Sequence, residues 1–398
     1  MRRNVMLAVL ACLALFGLAA CGDDNSSSSG SSGAIEFKVP DVPIADSIGA
    51  GEGKLNIVNW VGYAEDGSTD KNYDWVHPFE KESGCSVNSK VAATSDEMVT
   101  LMRTGQYDGV SASGNASLRL IAGGDVRPVD TKILTHWADI DPLVKYRDYN
   151  SVNKVMYGAP HGYGANLLAY NTKKITPAPT SWSVIYDKAN KGKVTIYDDP
   201  ITIADAAVYL KATQPALKIA NPYELDAKQF AASVALLKAQ RPLIGQFWGD
   251  VTKQAQGFTQ GDLNVGSVWQ YTANLLSADK QPVKTTLPTE GATGWSDTWM
   301  LSSKAKHPNC MLKWMNYITS PKVQAKVAYW FGEAPANTKA CALVTEDKNH
   351  CTTYSAGDQA FFDKVAFWAT PTRNCRDERG LKCIDYSRWV QAWTEIKG

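Results

Sequence analysis

The feature that most constrains how this chain folds is a regular alternation of short buried strands with amphipathic helices. Apolar residues mark a strand over 54–59, a helix-like stretch follows over 75–82, and Thr94 with Glu97 predicts a capping box at the start of the next helix. This spacing predicts an α/β protein with a largely parallel sheet. The predicted strands are 54–59, 85–92, 107–111, 157–170, 193–197 and 264–269, and the predicted helices are 75–82, 94–105, 204–212, 226–239 and 308–319.

The N-terminus carries an export signal. Arg2 and Arg3 precede an apolar run over 5–18, and Leu18-Ala19-Ala20-Cys21 follows directly. This pattern is typical of a bacterial lipoprotein signal over 1–20, whose Cys21 is acylated and anchors the mature chain to a membrane. An ordinary secretory signal is the alternative. The Ser/Gly-rich stretch within 21–52 is predicted to be a flexible tether.

Size and charge narrow the function classes. The part beyond residue 52 exceeds what one hydrophobic core usually organises, which predicts two domains. Lys and Arg total 41 against 40 Asp and Glu, so no overall field attracts nucleic acid. An extracytoplasmic location, periplasmic or cell-surface, argues against ATP-dependent chemistry. We expect a monomer without cofactor.

The cysteines beyond the signal fit an oxidising compartment. Six of them allow 15 pairings. Short loops favour Cys341 with Cys351 and Cys375 with Cys383, which leaves Cys85 for Cys310. A zinc site is the rival interpretation, although no Cys-x-x-Cys occurs and the histidines are scattered, so we expect no metal.

Aromatic and polar residues collect where predicted strands end. In open α/β sheets the carboxyl ends of the strands line the ligand crevice. Ring faces attract cations, and a carboxylate binds an ammonium group through charge-assisted hydrogen bonds. The set therefore predicts a site for a small amine, although each tryptophan alone could be a core residue and each aspartate a turn or cap residue. Its members are Trp60, Tyr63, Ser113, Asn115, Asp199, Trp269, Trp295 and Asp297.

Motifs between residue 54 and about residue 337 carry a resemblance to a known family. They are Asn59-Trp60 with Tyr63, Tyr107-Asp108, 157–160, 180–182, Asp198-Asp199, 261–269, 294–297 and 332–337. In these motifs the chain resembles the spermidine/putrescine-binding proteins, the extracytoplasmic receptors of polyamine ABC transporters. The resemblance implies the type II periplasmic-binding-protein fold, with a ligand cleft between two α/β lobes. It also implies that Trp60, Tyr63, Trp269, Trp295 and Asp297 form the amine slot, with Asp199 and Ser113 as further contacts.

Several positions depart from the family pattern. Val61 replaces a threonine and Asn115 a tyrosine, Thr202 stands where a second carboxylate is usual, and Glu333 replaces a tyrosine. One acidic group is lost and another gained, so a diamine or an amino acid such as 4-aminobutyrate is as plausible a ligand as spermidine.

The tail after Cys341 lies outside the shared pattern. Trp368, Trp389 and Trp393 are expected to pack a C-terminal helix against the second lobe, with Trp368 also able to reach the cleft.

Together these expectations describe a membrane-tethered solute receptor that delivers a small amine to the permease of an ABC transporter with its cytoplasmic ATPase. The first lobe is predicted to comprise 53–156 plus 295–334, and the second 157–294 plus 335–398. A secreted hydrolase using the same cleft, with Asp199 and Asp297 as a glycosidase pair, is one alternative. A ligand-sensing module without transport is the other.

Overall fold

The computed structural model describes residues 39–375 and 382–398, so the predicted leader, Cys21 and most of the tether lie outside the described residues. The strands are β1 Lys54–Asn59, β2 Ser86–Val91, β3 Gly109–Ser113, β4 Ser151–Val152, β5 Val155–Met156, β6 Ala159–Ala165, β7 Leu167–Asn171, β8 Val194–Tyr197, β9 Ile244–Trp248, β10 Val265–Val268, β11 Val283–Thr286, β12 Ala292–Leu301, β13 Ala334–Pro335 and β14 Val365–Phe367. The helices are α1 Val76–Ser83, α2 Ser95–Arg103, α3 Gly114–Ala122, α4 Thr202–Thr213, α5 Ala227–Gln240, α6 Val251–Gln260, α7 Gln270–Ala278, α8 Pro308–Ile318, α9 Pro321–Phe331, α10 His350–Thr353, α11 Gln359–Phe362 and α12 Tyr386–Lys397.

The strands form two main sheets, each with helices packed on it. Sheet A has the order β13-β6-β12-β3-β1-β2, with β14 paired to one end of β12, and sheet B has the order β11-β7-β10-β8-β9. The chain passes from sheet A to sheet B between β6 and β7 and returns between β11 and β12. We call the two halves lobe A and lobe B. The α/β class with two lobes, predicted from the sequence, is confirmed.

Both sheets are mixed, so the expectation of a largely parallel sheet was wrong. β1 is parallel to β2 and β3, whereas β12 is antiparallel to β3 and β6. The reason is the return of the chain from lobe B. β12 joins sheet A at the C-terminal end of β3 and therefore runs antiparallel to β3.

The strand β12 was not among the strands predicted from the sequence. All ten of its residues are buried. Ser296, Asp297 and Thr298 interrupt its apolar pattern, so the usual signal of a buried strand is weak. β12 carries two of the predicted site residues into the centre of sheet A.

The three predicted disulfides are confirmed. Cys85 pairs with Cys310, Cys341 with Cys351, and Cys375 with Cys383. All six of these cysteines are therefore in disulfides, and none of them remains as a thiolate for the zinc alternative.

No helix among the described residues is long and apolar enough to cross a bilayer.

Removing the Cys85–Cys310 disulfide is expected to destabilise lobe A. Its cysteines are fully buried and 225 residues apart in sequence, so the bond restricts a very long loop of the unfolded chain. A Cys85→Ala/Cys310→Ala variant should lose about 2–4 kcal/mol in its free energy of unfolding, measured by urea titration. Cys375→Ala/Cys383→Ala is the control, since that bond spans only 8 residues. Equal losses in the two variants would contradict the argument.

Candidate functional site

Asp297 is the centre of a buried polar cluster in lobe A. It lies on β12 directly opposite Ser113, the last residue of β3. The Ser113 hydroxyl donates to Asp297 Oδ1 at 2.5 Å, and the Tyr63 hydroxyl donates to Oδ2 at 2.6 Å. Burial raises the pKa of Asp297 to about 7, against the lowering effect of these two hydrogen bonds. Tyr63 also contacts Glu333 Oε2 at 3.0 Å, so four of the predicted site residues form one network.

Tyr63 reaches this cluster because the chain turns sharply after β1. Gly62 has a φ of +85°, a backbone conformation that favours glycine, and the Tyr63 N–H donates to the Trp60 carbonyl. The Trp75 indole N–H then binds the Tyr63 carbonyl at 3.1 Å. The turn therefore directs Tyr63 inward towards β12.

The predicted tryptophans of the two lobes meet. Trp60 follows β1 of lobe A, and Trp269 follows β10 of lobe B. Their ring centroids are 5.8 Å apart in an edge-to-face arrangement. Trp295 lies on β12 and packs edge-on against Phe331. The indole N–H groups of Trp60, Trp269 and Trp295 are buried without a hydrogen-bond partner among the described residues. Because buried donors are normally paired, these three N–H groups are candidates for contact with a bound molecule.

Asp199 supplies a second buried carboxyl, at the end of β8 in lobe B. Its Oδ1 accepts from the Ile201 N–H at 2.9 Å, whereas Oδ2 has no partner within the described part of the chain. Burial raises its pKa to about 7. Asp199 and Asp297 both lie close enough to Tyr197 to raise the pKa of that phenol, in addition to the larger effect of burial.

Thr202 and Asn115 are both buried and have partners within the fold. The Thr202 hydroxyl donates to the Tyr197 carbonyl at 2.9 Å in the first turn of α4. Asn115 Oδ1 accepts from the Ser95 hydroxyl at 2.8 Å, and its Nδ2 has no partner among the described residues. Of the two, Asn115 is the one with a free polar group.

Three further aromatic residues, Tyr197, Trp248 and Trp368, pack around Trp269. Of these, Tyr197 and Trp248 were not predicted from the sequence as site residues. Tyr197 and Trp248 lie at the ends of β8 and β9, and each contacts Trp269, with centroids 5.4 Å and 4.9 Å away. Trp368 follows β14 and stacks on Tyr197, with centroids 5.6 Å apart and planes within 8°. Trp248 is the last residue of β9, so the expectation that strand ends line the ligand crevice would have found it if β9 had been predicted.

Two of the packing roles predicted for the tail are confirmed. Trp389 and Trp393 lie on α12, where they contact Phe230 of α5 and Phe247 of β9. Trp368 instead reaches the aromatic cluster between the lobes. Its backbone lies against Gly114 at the start of α3, where an added Cβ would come within 1.8 Å of the Trp368 carbonyl oxygen.

The buried aspartates make the stability of the unliganded protein depend on pH. Burial raises the pKa of Asp199, Asp205 and Asp297 to about 7, whereas an unfolded aspartate titrates near ~3.9. The folded state therefore binds more protons between these values, so this contribution to stability falls as the pH rises towards 7. We expect a higher melting temperature at pH 5.5 than at pH 7.5.

An Asp199→Asn variant should show a smaller difference in melting temperature between the two pH values, because one of the three groups no longer titrates. The exposed Asp46→Asn is the control and should leave the difference unchanged. An undiminished difference in Asp199→Asn would contradict this assignment.

Two α/β lobes with aromatic and acidic groups where they meet define a two-lobed binding protein. A family model of bacterial extracellular solute-binding proteins matches residues 74–352, and the chain belongs to this family. It is a solute-binding protein rather than an enzyme and works outside the cytoplasm, so the hydrolase alternative is set aside.

Curated relatives agree with the resemblance predicted from the sequence. The spermidine/putrescine-binding periplasmic protein of Escherichia coli is 25% identical over 74% of this chain and 85% of its own length. A putrescine/agmatine-binding protein of Pseudomonas aeruginosa is also 25% identical, over 75% of this chain and 83% of its own.

Solved structures agree in fold. A putative spermidine/putrescine ABC transporter protein from Listeria monocytogenes superposes with a TM-score of 0.68 at 19% identity, covering 87% of this chain and 99% of its own. The TpPotD lipoprotein of Treponema pallidum superposes with a TM-score of 0.65 at 18% identity, covering 86% and 98%.

Proposed function

We propose that this protein captures a small organic amine between its lobes and delivers it to the permease of an ABC transporter. One observation carries the proposal. Two buried carboxyls, Asp297 of lobe A and Asp199 of lobe B, accompany an aromatic cluster to which both lobes contribute. Ring faces and carboxylates together recognise ammonium groups, and the curated relatives bind spermidine, putrescine or agmatine.

Binding would close the lobes around the amine. A ligand held by residues of both lobes favours the form in which these residues are close together. They are Trp60 and Asp297 of lobe A, and Trp269 and Asp199 of lobe B. The population then shifts towards the closed form, which the permease recognises. The passages between the sheets, between β6 and β7 and between β11 and β12, are the proposed hinges.

The remaining ligand-site assignments belong to the same proposal. Tyr63 and Ser113 orient Asp297, Trp295 forms part of the cleft wall, and Asn115 offers its free Nδ2 to the ligand. The hydroxyl of Thr202 already binds the Tyr197 carbonyl, so Thr202 supports the position of Tyr197.

Amine binding can be tested by thermal unfolding and calorimetry with putrescine, agmatine, spermidine and 4-aminobutyrate. We expect at least one amine to raise the melting temperature, because a ligand at 100 times its Kd stabilises by about 2.7 kcal/mol. The matched control is 1,4-butanediol, which has the length of putrescine without its charges. Equal effects of diol and diamine, or no effect of any amine, would refute the proposal.

The same measurements have an expected pH dependence. A bound cation favours the ionised forms of Asp199 and Asp297, whose pKa values are raised to about 7 in the unliganded protein. Binding near pH 6.5 should therefore release protons, and affinity should increase from pH 6 to pH 8. Calorimetry in two buffers of different ionisation enthalpy measures the release.

We further propose that Cys21 is acylated and anchors the mature protein to the membrane. The support is the sequence alone, namely a charged start, a short apolar run and small residues before the cysteine. Cys21→Ser should move the protein from the membrane fraction to the soluble fraction when it is expressed in a bacterial host. An unchanged distribution would contradict acylation.

A further inference from the structure

Glu333 is a fully buried carboxyl next to the proposed amine site. It precedes β13, and its side chain lies over the backbone of β6 at Gly162, where an added Cβ would come within 2.2 Å of the carboxyl carbon. Glycine at this position therefore leaves the space that the carboxyl occupies. From there Glu333 Oε2 lies 3.0 Å from the Tyr63 hydroxyl.

A proton count favours an additional proton in this network. The Tyr63 hydroxyl lies within hydrogen-bond distance of Asp297 Oδ2 and of Glu333 Oε2, but it has only one proton to donate. If both carboxyls were ionised, they would have to share that one proton, or one carboxylate would face the phenol oxygen without it. A protonated carboxyl that donates to the phenol oxygen satisfies both contacts.

The distances assign the additional proton to Glu333. Asp297 accepts from Ser113 at 2.5 Å and from Tyr63 at 2.6 Å, which is the range of hydroxyl groups bound to an ionised carboxylate. The contact between Glu333 and Tyr63 is 3.0 Å, at the long limit for a hydroxyl hydrogen bond, and is therefore the weaker of the two contacts of the phenol. Hence Glu333 Oε2–H donates to Tyr63, and Tyr63 donates to Asp297.

His161 lies on the other side of the Glu333 carboxyl. Its Nδ1 accepts from the Trp299 indole N–H at 3.1 Å, so its own proton lies on Nε2. Nε2 faces Glu333 Oε1 at 3.5 Å, and neither atom has another partner among the described residues. At 3.5 Å the two atoms form no hydrogen bond, so an ionised Glu333 would lack a donor at Oε1.

We propose that Glu333 is a positioning residue that retains its carboxyl proton at neutral pH and, through Tyr63, directs a hydroxyl at Asp297. This inference rests on the proposed function insofar as Asp297 binds the ligand. It also bears on the ligand class. The site then presents the charges of Asp297 and Asp199 rather than three carboxylates, which matches a ligand with at most two ammonium groups.

The surroundings of Glu333 agree with a neutral carboxyl. The titratable groups that face it are Tyr63, Asp297 and His161, with Tyr354 farther away, and His350 Nε2 binds its backbone carbonyl at 2.9 Å. Burial raises the pKa of Glu333 well above its usual range and lowers the pKa of His161 to about 3. Burial also lowers the pKa of His350, so neither histidine supplies a positive charge at pH 7.

Infrared difference spectroscopy of the unliganded protein tests the proton directly. Wild type minus Glu333→Gln at pH 7.5 should contain the carbonyl band of a protonated carboxyl, with the shift expected in D2O. Glu395→Gln is the control for an ionised glutamate, since its salt bridges to Lys238 and Arg388 lower the pKa of Glu395. Carboxylate bands in the Glu333 difference spectrum would overturn the proposal.

Binding provides the second readout. Glu333→Gln should keep amine affinity within about threefold and leave the ratio of putrescine to spermidine affinity unchanged, because no charge is removed and the amide can donate to Tyr63. Glu333→Ala should lose about tenfold, since Tyr63 is no longer oriented. A Glu333→Gln variant that weakens spermidine selectively would show an ionised Glu333. If the wild type bound no amine, the proposed function would fail, and the infrared comparison would still decide the position of the proton.

Discussion

Replacing Asp297 with asparagine should reduce amine affinity by about 10²–10³-fold, the cost of removing one partner from a buried charge pair. Asparagine has nearly the same shape and can still accept one of the hydroxyl protons from Tyr63 and Ser113. The loss should therefore come from the missing charge, while the fold remains. Calorimetry with the tightest-binding amine measures the affinity, and circular dichroism checks the fold.

Asp141→Asn is a closely matched control for this experiment. Asp141 is also a buried aspartate that accepts a tyrosine hydroxyl, from Tyr163 at 2.6 Å, but Tyr163 belongs to a separate hydrophobic cluster with Ile140 and Phe362. It should change stability without changing affinity by more than a few fold. Equal losses of affinity in the two variants would show that Asp297 acts only through the fold.

The largest expected effect on stability is that of Trp314→Ala. Trp314 on α8 is fully buried and packs edge-on against Phe79 and Trp299, with centroids 5.0 Å and 5.6 Å away. Truncating such a side chain should lower the free energy of unfolding by about 3–5 kcal/mol, because the surrounding groups cannot fill the cavity. Chemical denaturation measures the change.

Trp330→Ala provides the comparison for Trp314. Trp330 on α9 is only partly buried, and its ring packs against Tyr73 near the surface. Its loss should cost clearly less than the loss of Trp314. A smaller effect at Trp314 would place the centre of the lobe A core elsewhere.

Much of the fold was predictable because its signals are local. β1 has the predicted limits, and α8 begins at the predicted Pro308, whose missing N–H costs nothing in a first turn. Asp226 starts α5 as a side-chain cap, in keeping with the predicted start of that helix. Trp60 and Trp269 were both predictable as site residues because each follows the end of a strand, and their rings are in contact.

The unpredicted parts depend on long-range contacts. β12 is polar where it meets Tyr63 and Ser113, so its strand character follows from its partners more than from its own pattern. Trp368 lies about 170 residues from Tyr197 in sequence, and no local pattern indicates that their rings stack. The sequence shows Glu333 as an acidic residue in the position of a tyrosine. The protonation state of its carboxyl, however, depends on burial and on its contacts with Tyr63 and Asp297.

The arrangement of the cross-links has a mechanical consequence. Cys85 and Cys310 both flank sheet A, and the other two bonds each close a short segment of 10 or 8 residues. None of these bonds ties sheet A to sheet B. The disulfides therefore leave the two lobes free to move relative to each other, as the proposed capture of an amine requires, without any thiol chemistry.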